Sequence, residues 1–97
     1  MKSNEMLDAF CEDMKKKIVN GERIFVDIIC GSTTLNFAIH PTDCYVVDCI
    51  DGTKMVCVGH STGDISIVIY DTSEIKLDEE GFYEITSDNV SYAFGNY

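Results

Sequence analysis

The dipeptide Asp51-Gly52, which lies between two apolar runs, constrains the fold of this chain more than any other feature of its sequence. Asp-Gly favours a two-residue type I′ hairpin loop, because both central residues of that loop adopt positive φ. The predicted register pairs Ile50 with Thr53, Val47 with Val56 and Tyr45 with Val58. The side chains predicted to face inward are then Tyr45, Val47, Cys49, Val56 and Val58. We expect this hairpin to form the centre of an antiparallel sheet.

Turn signals and apolar spacing divide the remainder of the chain into one helix and a series of short strands. Apolar residues at helical spacing predict an amphipathic helix over residues 3–20, with Ser3 as its N-cap and Gly21 after its end. Residues 23–97 instead show the alternation and the tight turns of antiparallel strands. One of these strands, Ile24–Cys30, is apolar on both faces, which predicts a central strand covered on both sides.

These elements predict one α+β domain over residues 1–97. The N-terminal amphipathic helix packs on a strongly twisted antiparallel sheet of about seven short strands, and a barrel-like curl is one form open to such a sheet. A chain of 97 residues is long enough to bury a modest core without disulfides or metals.

Five cysteines occur in the chain, each within an apolar pattern rather than in a loop. An odd count with this placement is typical of free, buried thiols and not of a secreted disulfide scaffold. The N-terminal residues lack the pattern of a signal peptide, and no apolar run approaches the ~20 residues that cross a bilayer. We therefore expect a soluble cytoplasmic protein with five free thiols and no membrane partner.

Acidic residues outnumber basic residues by 17 to 7, and this excess is unevenly distributed. Residues 1–23 hold five acids and five bases, whereas the remaining 74 residues hold twelve acids and only Lys54 and Lys76 as bases. A protein that binds nucleic acid directly must supply cations that displace counterions from the phosphates. The composition therefore disfavours direct nucleic-acid binding and favours a basic protein partner. Acidity that serves only solubility is the alternative interpretation.

The C-terminal third places aromatic residues among carboxylates, which is a composition suited to a protein interface. Aromatic side chains supply contact area there, and carboxylates supply electrostatic steering. The predicted partner-binding residues are Asp71, Glu74, Asp78, Glu79, Glu80, Tyr83, Glu84, Asp88, Tyr92 and Tyr97. Filling of the core is the alternative role for aromatic residues; we prefer it for Phe82 and Phe94 and leave it open for the three tyrosines.

The segment Gly59-His60-Ser61-Thr62-Gly63 matches the G-x-S-x-G pattern of serine hydrolases. That nucleophile elbow requires a helix after the serine and a histidine partner downstream. Here a strand is predicted to follow, and no histidine occurs after His60. We therefore interpret the segment as a hairpin turn, assign no catalytic residue and expect no enzymatic activity.

A second pattern has the ligand types and approximate spacing of a two-Cys, two-His zinc site, in inverted order. Its residues are His40, Cys44, Cys57 and His60. The predicted register brings the two pairs toward the open end of the hairpin, but a regular strand directs Cys57 and His60 to opposite faces. We expect no metal and no cofactor, and keep a small metal- or ligand-binding module as an alternative function.

In size, acidity and lack of a catalytic motif, the whole chain resembles the small inhibitors encoded by phages and mobile elements, including anti-CRISPR and anti-restriction proteins that imitate DNA. It is similar in the same respects to small acidic immunity proteins and antitoxins that block a basic toxin nuclease. The resemblance implies a protein that occupies the cationic nucleic-acid groove of its partner, with carboxylates in place of phosphates. For a phage-encoded inhibitor it also implies the cytosol of the host cell.

Overall fold

The computed structural model describes the backbone of residues 2–96 and the side chains of residues 5–96. The described residues form one helix and eight strands, in the order α1 (Lys2–Val19), β1 (Ile24–Cys30), β2 (Thr33–Ile39), β3 (Pro41–Asp48), β4 (Lys54–His60), β5 (Gly63–Ile69), β6 (Glu74–Leu77), β7 (Tyr83–Ser87) and β8 (Val90–Asn96). The expected α+β class is confirmed. The helix begins at Lys2, so the backbone of Ser3 is already helical and the prediction of Ser3 as the N-cap is wrong. The candidate site residue Tyr97 lies outside the described residues.

The strands form two antiparallel sheets, which corrects the expectation of one sheet that could curl into a barrel. The five-stranded sheet has the order β2-β1-β8-β7-β6, and the three-stranded sheet has the order β3-β4-β5. Only His40 separates β2 from β3, which is too short a link for a hairpin, so β3 runs on into a second sheet. Within residues 2–96 each sheet keeps two edge strands, and neither closes.

The helix α1 packs against both sheets and joins their inner faces into one core. Phe10 is fully buried and makes edge-to-face ring contacts with Tyr83 and Phe94 of the five-stranded sheet, at centroid distances of 5.3 and 5.0 Å. Where α1 packs on the three-stranded sheet, the sulfur of Cys11 lies 3.8 Å from the sulfur of Cys44 on β3. The amphipathic stripe expected of α1 is therefore shared between two sheets.

The central hairpin β3–β4 forms as expected, but its loop has three residues instead of two. The N–H of Cys49 donates to the carbonyl of Thr53 at 2.8 Å, which leaves Ile50, Asp51 and Gly52 in the loop. Gly52 has a φ of 89°, whereas Asp51 does not adopt positive φ. The three-residue loop therefore consists of a turn that ends at Gly52 in the left-handed conformation. The predicted type I′ turn is wrong.

The extra loop residue shifts the register by one position and exchanges the two faces of β3. Val46 now pairs with Val56, while Tyr45 and Val47 lie on the outer face at 41% and 38% exposure. Cys49 lies on that outer face as well, whereas pairing with buried Val58 and Val56 places Cys44 and Val46 on the inner face. Val46 is nevertheless 37% exposed, because β3 is an edge strand of its sheet. The predicted inward set was therefore wrong for Tyr45, Val47 and Cys49 and right for Val56 and Val58.

Two further burial predictions need correction at β1. This strand lies between β2 and β8, but its outer face carries exposed Phe25 and Ile29, because the helix and the second sheet both cover only the inner face. Cys30, at the end of β1, is exposed as well. All five cysteines fall within the described residues and are free, but only Cys11, Cys44 and Cys57 are buried.

A candidate acidic surface on the β6–β7 hairpin

Most of the predicted partner-binding carboxylates belong to the hairpin of β6 and β7. Ile75 pairs with Ile85 on the inner face, and both are buried. Glu74 and Glu84 occupy the opposite face and are exposed. Because side chains alternate between the two faces of a strand, the burial of the isoleucines fixes these glutamates on the outside.

One end of the hairpin is a turn that carries three consecutive acids. The carboxylate of Asp78 accepts hydrogen bonds from the N–H groups of Glu80 and Phe82, both at 2.9 Å. Asp78 thereby holds the turn in place, as aspartates do in many tight loops. Glu79 and Glu80 are exposed at the tip. Their charge is therefore presented to solvent by a turn whose backbone is locally fixed.

The other end of the hairpin carries Asp71, before β6, and Asp88, in the two-residue turn between β7 and β8. Asp88 has a φ of 56°, a conformation that aspartate tolerates better than most residues. The hydroxyl of Ser87 donates to the carbonyl of Val68, which ties this end to β5 of the second sheet. Both ends of the hairpin are thus held by specific contacts.

We name these residues the acidic strip: Asp71, Glu74, Asp78, Glu79, Glu80, Glu84 and Asp88. The segment 71–88 holds these seven acids and one base, Lys76, so its formal charge is 1 − 7 = −6. The ammonium of Lys76 lies 3.3 Å from a carboxylate oxygen of Glu74, and both side chains are largely exposed. An ion pair in that setting contributes little, so the strip keeps a strong negative field.

The tyrosines of the predicted surface do not belong to this strip. Tyr83 is 5% exposed, and its hydroxyl donates to the carboxylate of Asp13 on α1 at 2.5 Å. Burial, reinforced by that carboxylate, raises the pKa of Tyr83 to about 12. Tyr92 is half-buried and packs against the core. Tyr83 therefore faces the core beneath α1, whereas Tyr92 lies on the same inner face with part of its side chain exposed, so neither belongs to the face that carries the carboxylates.

Phe82 and Phe94, which we expected in the core, are buried to different extents. Phe94 is buried beneath α1. Phe82 is half-buried, and its ring lies over Gly95, so close that a Cβ added at Gly95 would overlap it. The hairpin thus exposes its carboxylates to solvent and directs the rings of Phe82 and Tyr83 toward the rest of the protein.

Sequence reasoning missed a second surface, the outer face of the three-stranded sheet. We define it by Tyr45, Val47, Met55 and Val68, which the register places on one side of β3, β4 and β5. The one-residue register error had assigned the first two of these residues to the core. The longer loop has no signal in the sequence, because Ile50 is as apolar as the strand residues before it, although the structure leaves it fully exposed.

The four low-ranked zinc candidates are not brought together. Cys44 lies on the inner face of its sheet and Cys57 on the outer face, where the Cys57 sulfur accepts a hydrogen bond from Ser66 at 3.6 Å. His40 is exposed, and His60 contacts the hydroxyl of Thr62 at 3.0 Å. No group of three or more His, Cys, Asp or Glu residues within the described chain is placed to hold a metal ion.

The G-x-S-x-G segment forms the expected hairpin turn. β4 ends at His60 and β5 begins at Gly63, so Ser61 and Thr62 are the two loop residues. A strand follows the serine where the hydrolase elbow requires a helix. The serine therefore lacks the local geometry of that nucleophile.

Comparisons with known proteins add no relative to this description. The chain matches no family model, no curated protein and no solved structure. Among the described residues, no helix is long and apolar enough to cross a membrane. A functional assignment for this chain therefore rests on the chemistry of its own surface.

Proposed function

We propose that this protein is a non-enzymatic acidic inhibitor that binds a basic, nucleic-acid-handling protein and blocks its nucleic-acid groove. The observation that supports this proposal is the acidic strip, in which seven acids and one lysine lie within residues 71–88, on the β6–β7 hairpin and in the turns on either side of it. The inner face of that hairpin is anchored by Ile75 and Ile85. Carboxylates held on an anchored element lose little freedom on binding, so more of their interaction energy remains for the partner.

The spacing of the strip suits a cationic groove. On the outer face of the hairpin Glu74 lies opposite Thr86 and Glu84 lies opposite Lys76, so Glu74 and Glu84 are diagonal neighbours ~7–8 Å apart, close to the ~8 Å Debye length at physiological salt. These two carboxylates act together on an approaching partner, and the acids in the turns at the two ends of the hairpin extend the negative field beyond them. A groove lined with Lys and Arg for binding phosphates provides the complementary potential.

The proposed binding relies on charge more than on contacts with aromatic side chains. Tyr83 is buried and Tyr92 is half-buried on the inner face of the sheet, so neither supplies an aromatic anchor beside the carboxylates of the strip. Binding through the strip is then governed by electrostatic steering, which acts mainly on the association rate. An immunity protein or antitoxin that blocks a basic toxin nuclease would use the same chemistry, and the identity of the captured partner separates these two cases.

The test uses charge reversal at two places on the protein. A partner is captured from host lysate on immobilised protein, and its association rate is measured for two double variants. Glu79→Lys/Glu80→Lys reverses the exposed tip of the strip, and Glu12→Lys/Glu22→Lys changes the net charge equally at exposed sites on the N-terminal segment. We expect the tip variant to lower the association rate by about tenfold or more, and the control to lower it far less.

Two results would contradict the proposal. Equal losses in both variants would mean that only net charge matters. Binding that survives reversal of the tip but is lost in Val47→Asp would place the interface on the outer face of the three-stranded sheet. Both variants change exposed residues, so circular dichroism should confirm an intact fold in each case.

A further inference from the structure

Cys11 of α1 and Cys44 of β3 face each other where the helix packs on the three-stranded sheet. Their sulfur atoms lie 3.8 Å apart, although the residues are 33 positions apart in sequence. They are 7% and 3% exposed. We propose that Cys11 and Cys44 form a redox-active dithiol that closes reversibly to a disulfide between α1 and the three-stranded sheet.

The geometry requires only a small movement. A disulfide has an S–S distance of about 2.05 Å, so the two sulfurs must approach by about 1.8 Å. The backbone of Cys44 is fixed by its pairing with Val58 and by a 2.9 Å hydrogen bond from its N–H to Asp43. Rotation of the two side chains and a slight shift of α1 toward β3 therefore supply the approach.

A cavity gives small molecules access to the pair. Its volume is about 400 Å³, and it lies between α1 and β3 with Cys11, Cys44 and Lys15 among its lining residues. An oxidant as small as hydrogen peroxide fits such a space easily. The two thiols are thus shielded from bulky reagents but open to small ones.

The surroundings give the two thiols different roles. Cys44 donates its S–H to the sulfur of Cys11, and this hydrogen bond lowers the pKa of Cys11. Burial opposes that change, the ammonium of Lys15 supports it, and the carboxylates of Asp8 and Glu12 oppose it more weakly. The pKa of Cys44 is raised by the same hydrogen bond and by burial. Cys11 is therefore the thiol of the pair that deprotonates more readily and reacts first.

A peroxide supplies the oxidising equivalents. The Cys11 thiolate attacks one oxygen of hydrogen peroxide, the O–O bond breaks, and the departing hydroxide takes a proton to become water, which leaves Cys11 as a sulfenic acid. The sulfur of Cys44 then attacks that of Cys11, the S–O bond breaks, and the proton of Cys44 leaves with the hydroxide as a second water. Two thiols and one peroxide thus give one disulfide and two waters.

The test maps thiols after treatment of the reduced protein with hydrogen peroxide. Remaining thiols are alkylated in denaturant, and the protein is cleaved for mass spectrometry. Cleavage at Lys and Arg leaves Cys30, Cys44 and Cys49 on one peptide, so a second cleavage at Asp43 and Asp48 is needed to isolate Cys44. We expect a linked Cys11–Cys44 peptide that is two hydrogens lighter and is restored by dithiothreitol.

A melting curve and two variants complete the test. The disulfide should raise the melting temperature by at least about 5 °C, because it constrains a long loop in the unfolded chain. Cys57→Ala removes an equally buried thiol on the other sheet face and should keep the link, whereas Cys11→Ala should abolish it. The proposal would be overturned if Cys11 and Cys44 stayed free at a peroxide dose that oxidises the exposed Cys30. A disulfide between another pair of cysteines would overturn it as well.

Discussion

Truncation of Ile85 tests whether the hairpin that carries the acidic strip is anchored in the core. Ile85 lies on β7, pairs with Ile75 and Tyr92 on the inner face, and is 0% exposed. Ile85→Ala removes three carbon atoms, which at ~0.8 kcal/mol each amounts to roughly 2.4 kcal/mol of lost burial. The cavity left behind raises the expected loss of unfolding free energy to about 3–4 kcal/mol.

Ile29→Ala is the matched control, since it makes the same change on a strand of the same sheet at a residue that is 43% exposed. It should cost about 1 kcal/mol, because part of the side chain already meets water and no closed cavity forms. Urea denaturation measures both values, and thermal melts should fall by about 4–8 °C for each kcal/mol. Equal losses in the two variants would refute the assignment of the inner and outer faces of this sheet.

Three further predictions follow from local geometry. Gly52→Val should lower the unfolding free energy by about 1–3 kcal/mol, since residue 52 has a φ of 89° that a β-branched side chain resists, and an unchanged urea midpoint would contradict the loop described. Gly95→Ala should destabilise the protein by forcing the Phe82 ring away, and a double-mutant cycle should show most of that cost removed by Phe82→Ala. The pKa of Tyr83, about 12, exceeds its ordinary value of about 10, so its stabilisation is complete below pH ~10 and is lost as pH rises toward 12. Wild type should therefore lose stability more steeply than Tyr83→Phe over that range, and parallel curves would contradict the buried phenol.

Local patterns predicted the elements of this fold well, because periodicity and turn residues act within a few positions of each other. The helix predicted over residues 3–20 forms over Lys2–Val19, β1 has its predicted bounds of Ile24–Cys30, and eight strands form where about seven were expected. The division into two sheets was not predictable in this way, since it depends on the single residue His40 between β2 and β3. The face exchange at β3 has a similar origin, because adjacent Val46 and Val47 satisfy either register.

The acidic residues of the candidate site were predictable from the sequence, whereas its tyrosines were not. Acids in turns and on outer strand faces are exposed for local reasons, so the positions of Glu79, Glu80 and Glu84 followed from the sequence. The burial of Tyr83 depends instead on Asp13, a residue 70 positions away, and on the ring of Phe10. The contact between Cys11 and Cys44 likewise joins residues 33 positions apart, so local sequence patterns do not predict it.

Competition with nucleic acid tests the central claim most directly. The captured partner is loaded with a labelled oligonucleotide, and this protein is titrated against it at several salt concentrations. We predict complete displacement of the oligonucleotide, with an affinity that falls steeply as salt rises, because the exposed carboxylates of the acidic strip interact through a screened field. A ternary complex that holds the oligonucleotide and this protein together, or an affinity indifferent to salt, would contradict the account.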